Sequence, residues 1–255
     1  MTTAAALRAS DLATRLAAIA ALAEADAPAP DELAALAESL GEGRKAVERG
    51  AAETFATLAA RGVAVERVLD EALASSLPRR RWGAAFALSL LGDPPLRTLP
   101  VLLDALGVDD GDVRWAAAGV VVRLKDREAT ARALLDLLRS GNGPQRKMAL
   151  YCLRDLGARS ADVEQAVLGA LGDAEWDVRL AAITTLPRLA LDRPAAAERL
   201  VAVLETGEIR DRRAAAAALG ALDERSPRVL AALRACGPED AALRRAAERA
   251  LAQLA

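Results

Sequence analysis

The chemistry open to this chain is limited first by what its 255 residues lack. It contains no histidine, which excludes a Ser-His-Asp or Cys-His catalytic pair, a histidine-ligated metal and a histidine-held haem. Its two cysteines, Cys152 and Cys236, are far apart in the sequence, so neither a CxxC metal site nor a disulfide framework is expected. The sequence therefore predicts no cofactor and no metal, and it favours a reducing, cytoplasmic location.

Carboxylate pairs are the remaining candidates for acid/base chemistry, at Asp109-Asp110 and Glu239-Asp240. Both lie in stretches rich in turn residues, where carboxylates cap helices more often than they transfer protons. Gly41-Glu-Gly43 begins a glycine-rich pattern, but it lacks the third glycine and the preceding strand of a nucleotide-binding loop. The sequence predicts a protein that is not an enzyme.

Aromatic and basic side chains are better suited to bind a partner. The chain has only six aromatic residues, and tryptophan, tyrosine and arginine are the types that most often anchor protein interfaces. Four of the six stand one or five residues after a recurring arginine: Trp82, Phe86, Trp115 and Tyr151. Lys147, Arg154 and Arg213 occupy the same kind of position, at offsets of one or eight residues. These seven residues are the predicted protein-binding site.

The elements that position these side chains are repeats. Arginines recur at intervals of 32 or 33 residues, at Arg81, Arg114, Arg146, Arg179, Arg212 and Arg244. Three residues after each stands an alanine, and seven and ten residues after stand leucines or a valine. Two degenerate units precede them, around Arg15 and Arg49.

Offsets of three, seven and ten residues form one apolar stripe on a helix. Because each residue turns the helix by about 100°, offsets of one, five and eight point away from that stripe. A second apolar segment in each unit predicts a partner helix. A two-helix unit of this size cannot bury its stripe alone, so the units must stack. An exposed aromatic row then indicates a binding surface.

The motif Asp112-Val113-Arg114, with Ala117 three residues on, returns as Asp177-Val178-Arg179 with Ala182. It closely resembles HEAT repeats, in particular the short HEAT-like repeats first associated with phycobilisome lyases. The resemblance covers about residues 12–255. It implies an all-α fold, a right-handed α-solenoid of about seven to eight two-helix repeats with no strands. Asp112 and Asp177 are expected to cap their helices.

The resemblance also implies an organisation and a binding face. A single domain is expected over residues 1–255, with degenerate repeats at 12–77, regular repeats at 78–240 and a C-terminal capping helix at 241–255. In HEAT-like folds the arginine-bearing helix lines the concave face, and its Asp and Arg residues commonly join neighbouring repeats. The four aromatic residues would then form the floor of a groove, continued by Lys147, Arg154 and Arg213 as a basic wall.

The first hypothesis for function is a non-catalytic scaffold or adaptor that binds a peptide or protein segment in this groove. An alternative is a DNA-binding protein similar to HEAT-like DNA glycosylases, with Asp155 as the candidate acid. A second alternative is a bilin lyase or chromophore-handling subunit. HEAT-like hydroxylases with His-Glu iron motifs are excluded by the absence of histidine.

Charge and hydropathy narrow the partners further. The net charge of −2 disfavours nucleic acid as a partner. The alanine-rich N-terminus superficially resembles a signal peptide, but Arg8, Asp11 and Arg15 interrupt it, so a helix of the folded domain is expected. No stretch reaches the roughly 18 apolar residues of a membrane span. The expected partner is another protein or peptide, and the sequence leaves the oligomeric state undetermined.

Overall fold

A computed structural model describes residues 2–237 and 240–255. Within these residues the chain forms sixteen α-helices and no strand. The helices are α1 (Thr3–Leu7), α2 (Leu12–Ala23), α3 (Pro30–Ser39), α4 (Lys45–Ala60), α5 (Glu66–Leu73), α6 (Pro78–Leu90), α7 (Leu99–Ala105), α8 (Gly111–Val121), α9 (Arg127–Ser140), α10 (Gly143–Leu156), α11 (Ala161–Ala170), α12 (Trp176–Leu189), α13 (Arg193–Thr206), α14 (Ile209–Leu222), α15 (Pro227–Arg234) and α16 (Ala241–Leu254). The all-α fold class is confirmed.

The described helices form eight pairs, in each of which the even-numbered helix carries the repeat arginine. The first pair includes α1, which packs on α2 and α3 and lies before the predicted start of the repeats at residue 12. Contacts divide the chain into two compact units, Met1–Asp126 and Arg127–Ala255. Within each unit, even-numbered helices pack on even-numbered neighbours and odd-numbered helices on odd-numbered ones. This stacking is that of an α-solenoid, whereas the predicted single domain stays a prediction.

The apolar stripe of the even-numbered helices is buried as its spacing predicts. All six repeat alanines are at most 2% exposed: Ala84, Ala117, Ala149, Ala182, Ala215 and Ala247. The leucines and valine at the other two offsets are also buried, except Leu91 and Leu251, which are half-buried. Leu251 belongs to α16, which has no following helix in the described chain to cover it.

Four of the six repeat arginines, Arg81, Arg114, Arg146 and Arg179, bind backbone carbonyl oxygens in the joint that precedes their own helix. Arg81 Nη1 donates to the carbonyls of Ser75 and Ser76 at 3.1 and 3.3 Å. Arg114 and Arg179 donate to the carbonyls five and six residues upstream in the same way. These carbonyls follow the end of a helix and lack intrahelical partners, so in these four repeats the recurring arginine links its helix to the joint before it.

The predicted caps Asp112 and Asp177 are wrong by two residues. The N-cap of α8 is Asp110, whose carboxylate accepts from the backbone N–H groups of Asp112 and Val113, and the N-cap of α12 is Glu175. Asp112 and Asp177 instead lie in the first turn, where a negative charge still favours the helix, and their carboxylates bind lysines. Asp240 caps α16, as expected for a carboxylate in a joint, while Glu239 lies outside the described residues.

Helix-breaking residues have mild effects. Pro100 stands in the first turn of α7, where its missing N–H costs no hydrogen bond. Pro187 lies inside α12, which nevertheless continues to Leu189. Among the described residues, no helix combines the length and apolar character needed to cross a membrane.

Candidate protein-binding site

Helix α6 contains a glycine, Gly83, where it packs closely against the end of α3. A Cβ atom on Gly83 would lie 2.8 Å from the Leu40 Cβ atom at the end of α3, so only glycine fits there. Trp82 and Phe86 lie on the same helix, one residue before and three residues after this glycine. Their ring centroids are 5.7 Å apart, within the range of favourable aromatic pairs. Both side chains are half-buried, so they are less exposed than their offsets predict.

A cavity of about 240 Å³ lies on one side of Trp82, between α6, α7 and α8. Its apolar wall consists of Pro78, Trp82, Val101, Ala105, Val108 and Val113, and its charged residues are Glu48, Arg79, Arg81, Asp104 and Asp110. Because this volume is below the roughly 300 Å³ at which pockets for drug-sized ligands begin, it has room for one large apolar side chain.

A second cavity of about 150 Å³ lies between α4, α6 and α8. Trp82, Glu48, Arg79 and Val113 also line it, and Phe86 joins them there. The two cavities therefore flank the Trp82 indole, and this part of the predicted groove is recessed around the aromatic pair.

Most charges around Trp82 are paired with each other. Arg79 donates to Glu48 at 2.6 Å, and this carboxylate raises the pKa of the guanidinium. Lys45 Nζ lies 2.7 Å from Asp112 and 3.1 Å from Asp110. The hydrogen bond from Lys45 lowers the pKa of Asp110, and the bonds to Asp112 and Asp110 raise that of Lys45. The lysine thus joins α4 to α8.

Trp115 is the most exposed of the predicted aromatic residues. Its side chain on α8 is 56% exposed. The offset of eight residues, by contrast, does not point reliably outward: Ser89 is 1% exposed and Gly220 is buried. A Cβ atom on Gly220 would lie 2.9 Å from the Ala250 Cα atom of α16, so the neighbouring helix covers this position.

In the second unit the predicted basic wall consists of ion pairs. Lys147 donates to Asp177 at 2.8 Å, and Arg213 Nε donates to Asp240 at 3.1 Å. These bonds join α10 to α12, and α14 to the residue that caps α16. Both cations are consequently neutralised by carboxylates, and their part in partner binding stays a prediction.

Tyr151 and Arg154 lie together on α10. The Arg154 guanidinium lies 4.9 Å from the centroid of the Tyr151 ring, a cation–π distance. It also donates to Asp155 at 2.7 Å, so the candidate acid of a DNA glycosylase is a surface carboxylate, 46% exposed, held by its neighbouring arginine. On the same helix, burial raises the pKa of the Cys152 thiol to about 12, which leaves it unreactive at neutral pH.

Sequence reasoning missed the residues that α4 and α7 bring to Trp82. Lys45, Glu48, Val101, Asp104 and Val108 belong to no recurring offset of the arginine-bearing helices. Their positions depend on how the helices pack, for which the repeat spacing carries no signal. The other two aromatic residues, Phe55 and Trp176, lie outside the predicted row. Phe55 is fully buried, and Trp176 is half-buried with Arg210 above its ring.

The family model for HEAT repeats matches residues 65–154 and 162–252. These two segments make up more than half of the 255 residues. The chain therefore belongs to the HEAT repeat family, a class of α-solenoids typical of protein-interaction scaffolds. None of the curated proteins compared with it matches its sequence.

Solved structures resemble the chain in fold. YibA of Escherichia coli is 17% identical over 99% of this chain and 90% of its own, with a TM-score of 0.56. Kap95p, in a structure describing how its binding switches the loops of RanGDP, is 12% identical with a TM-score of 0.64. The match covers 99% of this chain but only 40% of Kap95p.

A third solved structure is that of an enzyme. Human deoxyhypusine hydroxylase is 21% identical over 99% of this chain and 94% of its own, with a TM-score of 0.41. A TM-score this low carries no argument about fold or activity.

Proposed function

We propose that the protein is a non-catalytic adaptor that binds a segment of another protein at the Trp82 site, defined as Trp82, Phe86 and the two cavities beside them. One observation carries the proposal: a half-buried aromatic pair lies between two recesses on one face of a HEAT-repeat unit. Interface anchors are typically aromatic side chains in well-packed pockets, surrounded by contacts that exclude water. Trp115, 56% exposed on α8, is proposed to extend this surface.

The comparisons support the same class of function. HEAT repeats build extended surfaces for binding other proteins, and the fold is similar to that of Kap95p, whose structure was described for its binding of RanGDP. The remaining predicted residues, Tyr151, Lys147, Arg154 and Arg213, are proposed as a further binding surface of the second unit. Its ion pairs would orient a partner and set the rate of encounter more than they would set affinity.

No contact within the described residues favours the two alternative functions. Asp155, the only candidate acid for DNA repair, is an exposed partner of Arg154. The bilin-handling alternative depends on the type of repeat alone. Retention on duplex DNA at moderate salt, and coexpression with a bilin followed by absorbance measurements, test these alternatives directly.

The proposal is tested by selecting peptides from a random twelve-residue display library on the wild-type chain. Each enriched peptide is then titrated against wild type, Trp82→Ala and Leu12→Ala. Leu12 is a matched control because it is a large apolar side chain, 40% exposed, in the same unit. We expect Trp82→Ala to raise Kd at least about tenfold, or about 1.4 kcal/mol, and Leu12→Ala to leave it within about twofold of the wild-type value. If every enriched peptide binds Trp82→Ala as tightly as wild type, the Trp82 site is not the binding site.

A further inference from the structure

Two charges at the Trp82 site lack a close partner, and they have opposite signs. Arg49 on α4 is exposed and lines the smaller cavity, with no carboxylate of the described chain in ion-pair contact. Asp104 on α7 lines the larger cavity. Its side chain is 72% exposed and its cationic partner, Arg81, is 3.9 Å away. Arg81 is already bonded to two backbone carbonyls, so Asp104 is only weakly compensated.

Apart from Asp104 and Arg49, the charges of the site cancel on both sides of Trp82. The larger cavity is lined by three carboxylates (Glu48, Asp104 and Asp110) and two arginines. The smaller cavity is lined by two carboxylates and three cations (Lys45, Arg49 and Arg79). Glu48 pairs with Arg79, and Lys45 pairs with Asp110 and Asp112. The charges left over are therefore the weakly paired carboxylate of Asp104 in the larger cavity and the guanidinium of Arg49 in the smaller one.

We propose that the segment bound at the Trp82 site is itself bipolar, with a large apolar side chain between a basic residue and an acidic residue. The apolar side chain fills the larger cavity beside Trp82, the basic residue lies against Asp104, and the acidic residue lies against Arg49. This inference rests on the proposed function and adds the chemistry of the bound segment and the placement of its two charges. Complementary charges fix the register and the orientation of a partner more than they add to its affinity.

The same charges disfavour other occupants. Nucleic acid would bring phosphates to the carboxylates of the larger cavity, where like charges repel. A purely acidic or purely basic segment would satisfy one cavity and be repelled at the other. A bipolar segment meets opposite charges at both, and the smaller volume of about 150 Å³ beside Phe86 leaves the larger cavity as the seat of the apolar anchor.

Charge reversal tests the proposal with peptides that depend on Trp82. Display clones from the random library are kept only when Trp82→Ala fails to retain them. We expect these clones to carry a large apolar residue with a basic residue on one side and an acidic residue on the other, in one constant order. Asp104→Lys should weaken them at least tenfold, and replacing the basic residue of the peptide by glutamate should restore binding to Asp104→Lys.

Arg49→Glu provides the mirror-image test, rescued by replacing the acidic residue of the peptide with lysine. Glu53→Lys is the matched control, because Glu53 is an exposed carboxylate of α4 outside both cavities. It introduces the same charge change as Asp104→Lys and should alter Kd by less than twofold. If a charge-reversal variant fails to fold, the neutral variant Asp104→Asn or Arg49→Gln replaces it in the titration, after a thermal melt has shown that it is folded.

The outcomes separate this proposal from the adaptor function. Trp82-dependent clones with one sign of charge or no charge, or reversals without rescue, would overturn the bipolar segment while leaving the adaptor function in place. A selection without any Trp82-dependent clone would overturn both. Binding of duplex DNA, or self-association of the chain, that is lost in Trp82→Ala while no peptide is enriched would also overturn the bipolar segment.

Discussion

The two units stack the same kind of helix in different ways. In the second unit, ion pairs join consecutive arginine-bearing helices: Lys147 with Asp177, Arg179 with Asp211, and Arg213 with Asp240. In the first unit, Lys45 of α4 reaches the carboxylates at the start of α8, and cavities flank Trp82 of α6. The second unit thus links its arginine-bearing helices in series by ion pairs, whereas the first unit leaves two recesses and two weakly paired charges, Asp104 and Arg49, around Trp82.

This difference predicts different consequences of substitution in the two units. The Arg179–Asp211 pair is expected to matter for stability, because both side chains are largely buried and each charge depends on the other. The recesses beside Trp82 are expected to matter for binding, because the weakly paired charges of Asp104 and Arg49 can gain close partners only from another molecule.

Removing the cation of the buried pair should damage the second unit most. Asp211 is 4% exposed and accepts from Arg179 Nε at 2.7 Å, and its Oδ1 atom is buried without a hydrogen-bond partner. Arg179→Met leaves an uncompensated buried carboxylate, so unfolding in urea should require about 3–5 kcal/mol less free energy. Adding Asp211→Leu should recover most of this loss. A cost below about 1 kcal/mol for the single variant would mean that the pair does not join α12 to α14.

Enlarging the repeat alanine should damage both units alike. Ala117 in the first unit and Ala182 in the second are fully buried, so leucine at either position overpacks the helix interface and should cost about 1–3 kcal/mol. Ala217→Leu, on the exposed side of α14, is the control and should be nearly neutral. Thermal melts of the three variants decide the matter. A neutral Ala117→Leu would show that the first unit is too loosely stacked to share the packing of the second.

Replacing each tryptophan of the first unit by alanine should lower the free energy of unfolding by different amounts, because Trp82 is half-buried and Trp115 is mostly exposed. Trp82 is half-buried beside Phe86, so Trp82→Ala should cost about 1–2 kcal/mol, less than the 3–5 kcal/mol of a fully buried tryptophan. Trp115→Ala should change the free energy of unfolding by less than about 0.5 kcal/mol, since its side chain is mostly exposed. The measurement is chemical unfolding of each single variant. A loss above about 3 kcal/mol for Trp82→Ala would identify the ring as core.

The smallest effect concerns the last ion pair and depends on pH. The hydrogen bond from Arg213 lowers the pKa of Asp240 to about 2, from an ordinary 3.8. Because the folded-state pKa is the lower one, the stabilisation from this carboxylate is complete above about pH 4 and is lost as the pH falls towards 2. The stability difference between wild type and Asp240→Asn should therefore shrink between pH 6 and pH 2.5 in urea unfolding. In an Arg213→Met background the same comparison should depend less on pH, and an unchanged dependence would rule out Arg213 as the cause.

Much of the second unit could be predicted from residue types alone. The interval of 32 or 33 residues placed the arginine-bearing helices, and the buried alanines confirm which face of each helix packs. The interpretation of the Arg and Asp residues as structural links between repeats is confirmed by Arg146, which binds Asp173 through two hydrogen bonds of 2.8 Å. The prediction that the offset of eight residues points outward is wrong at Ser89, which is buried, and at Gly220, which the neighbouring helix covers.

The sequence by itself determined the fold of this protein, because helix periodicity and a recurring small residue are local properties that every unit repeats. Only the tertiary structure decided which outward residues have recesses beside them. Trp82 and Trp115 occupy the same offset in two consecutive repeats of the first unit. Trp82 is nevertheless half-buried between two cavities, while Trp115 is 56% exposed. Their environments differ because Gly83 lets α6 pack against Leu40, and because α4 and α7 bring side chains from outside the repeat pattern to Trp82. Such contacts depend on helix packing between distant segments, which no single repeat encodes.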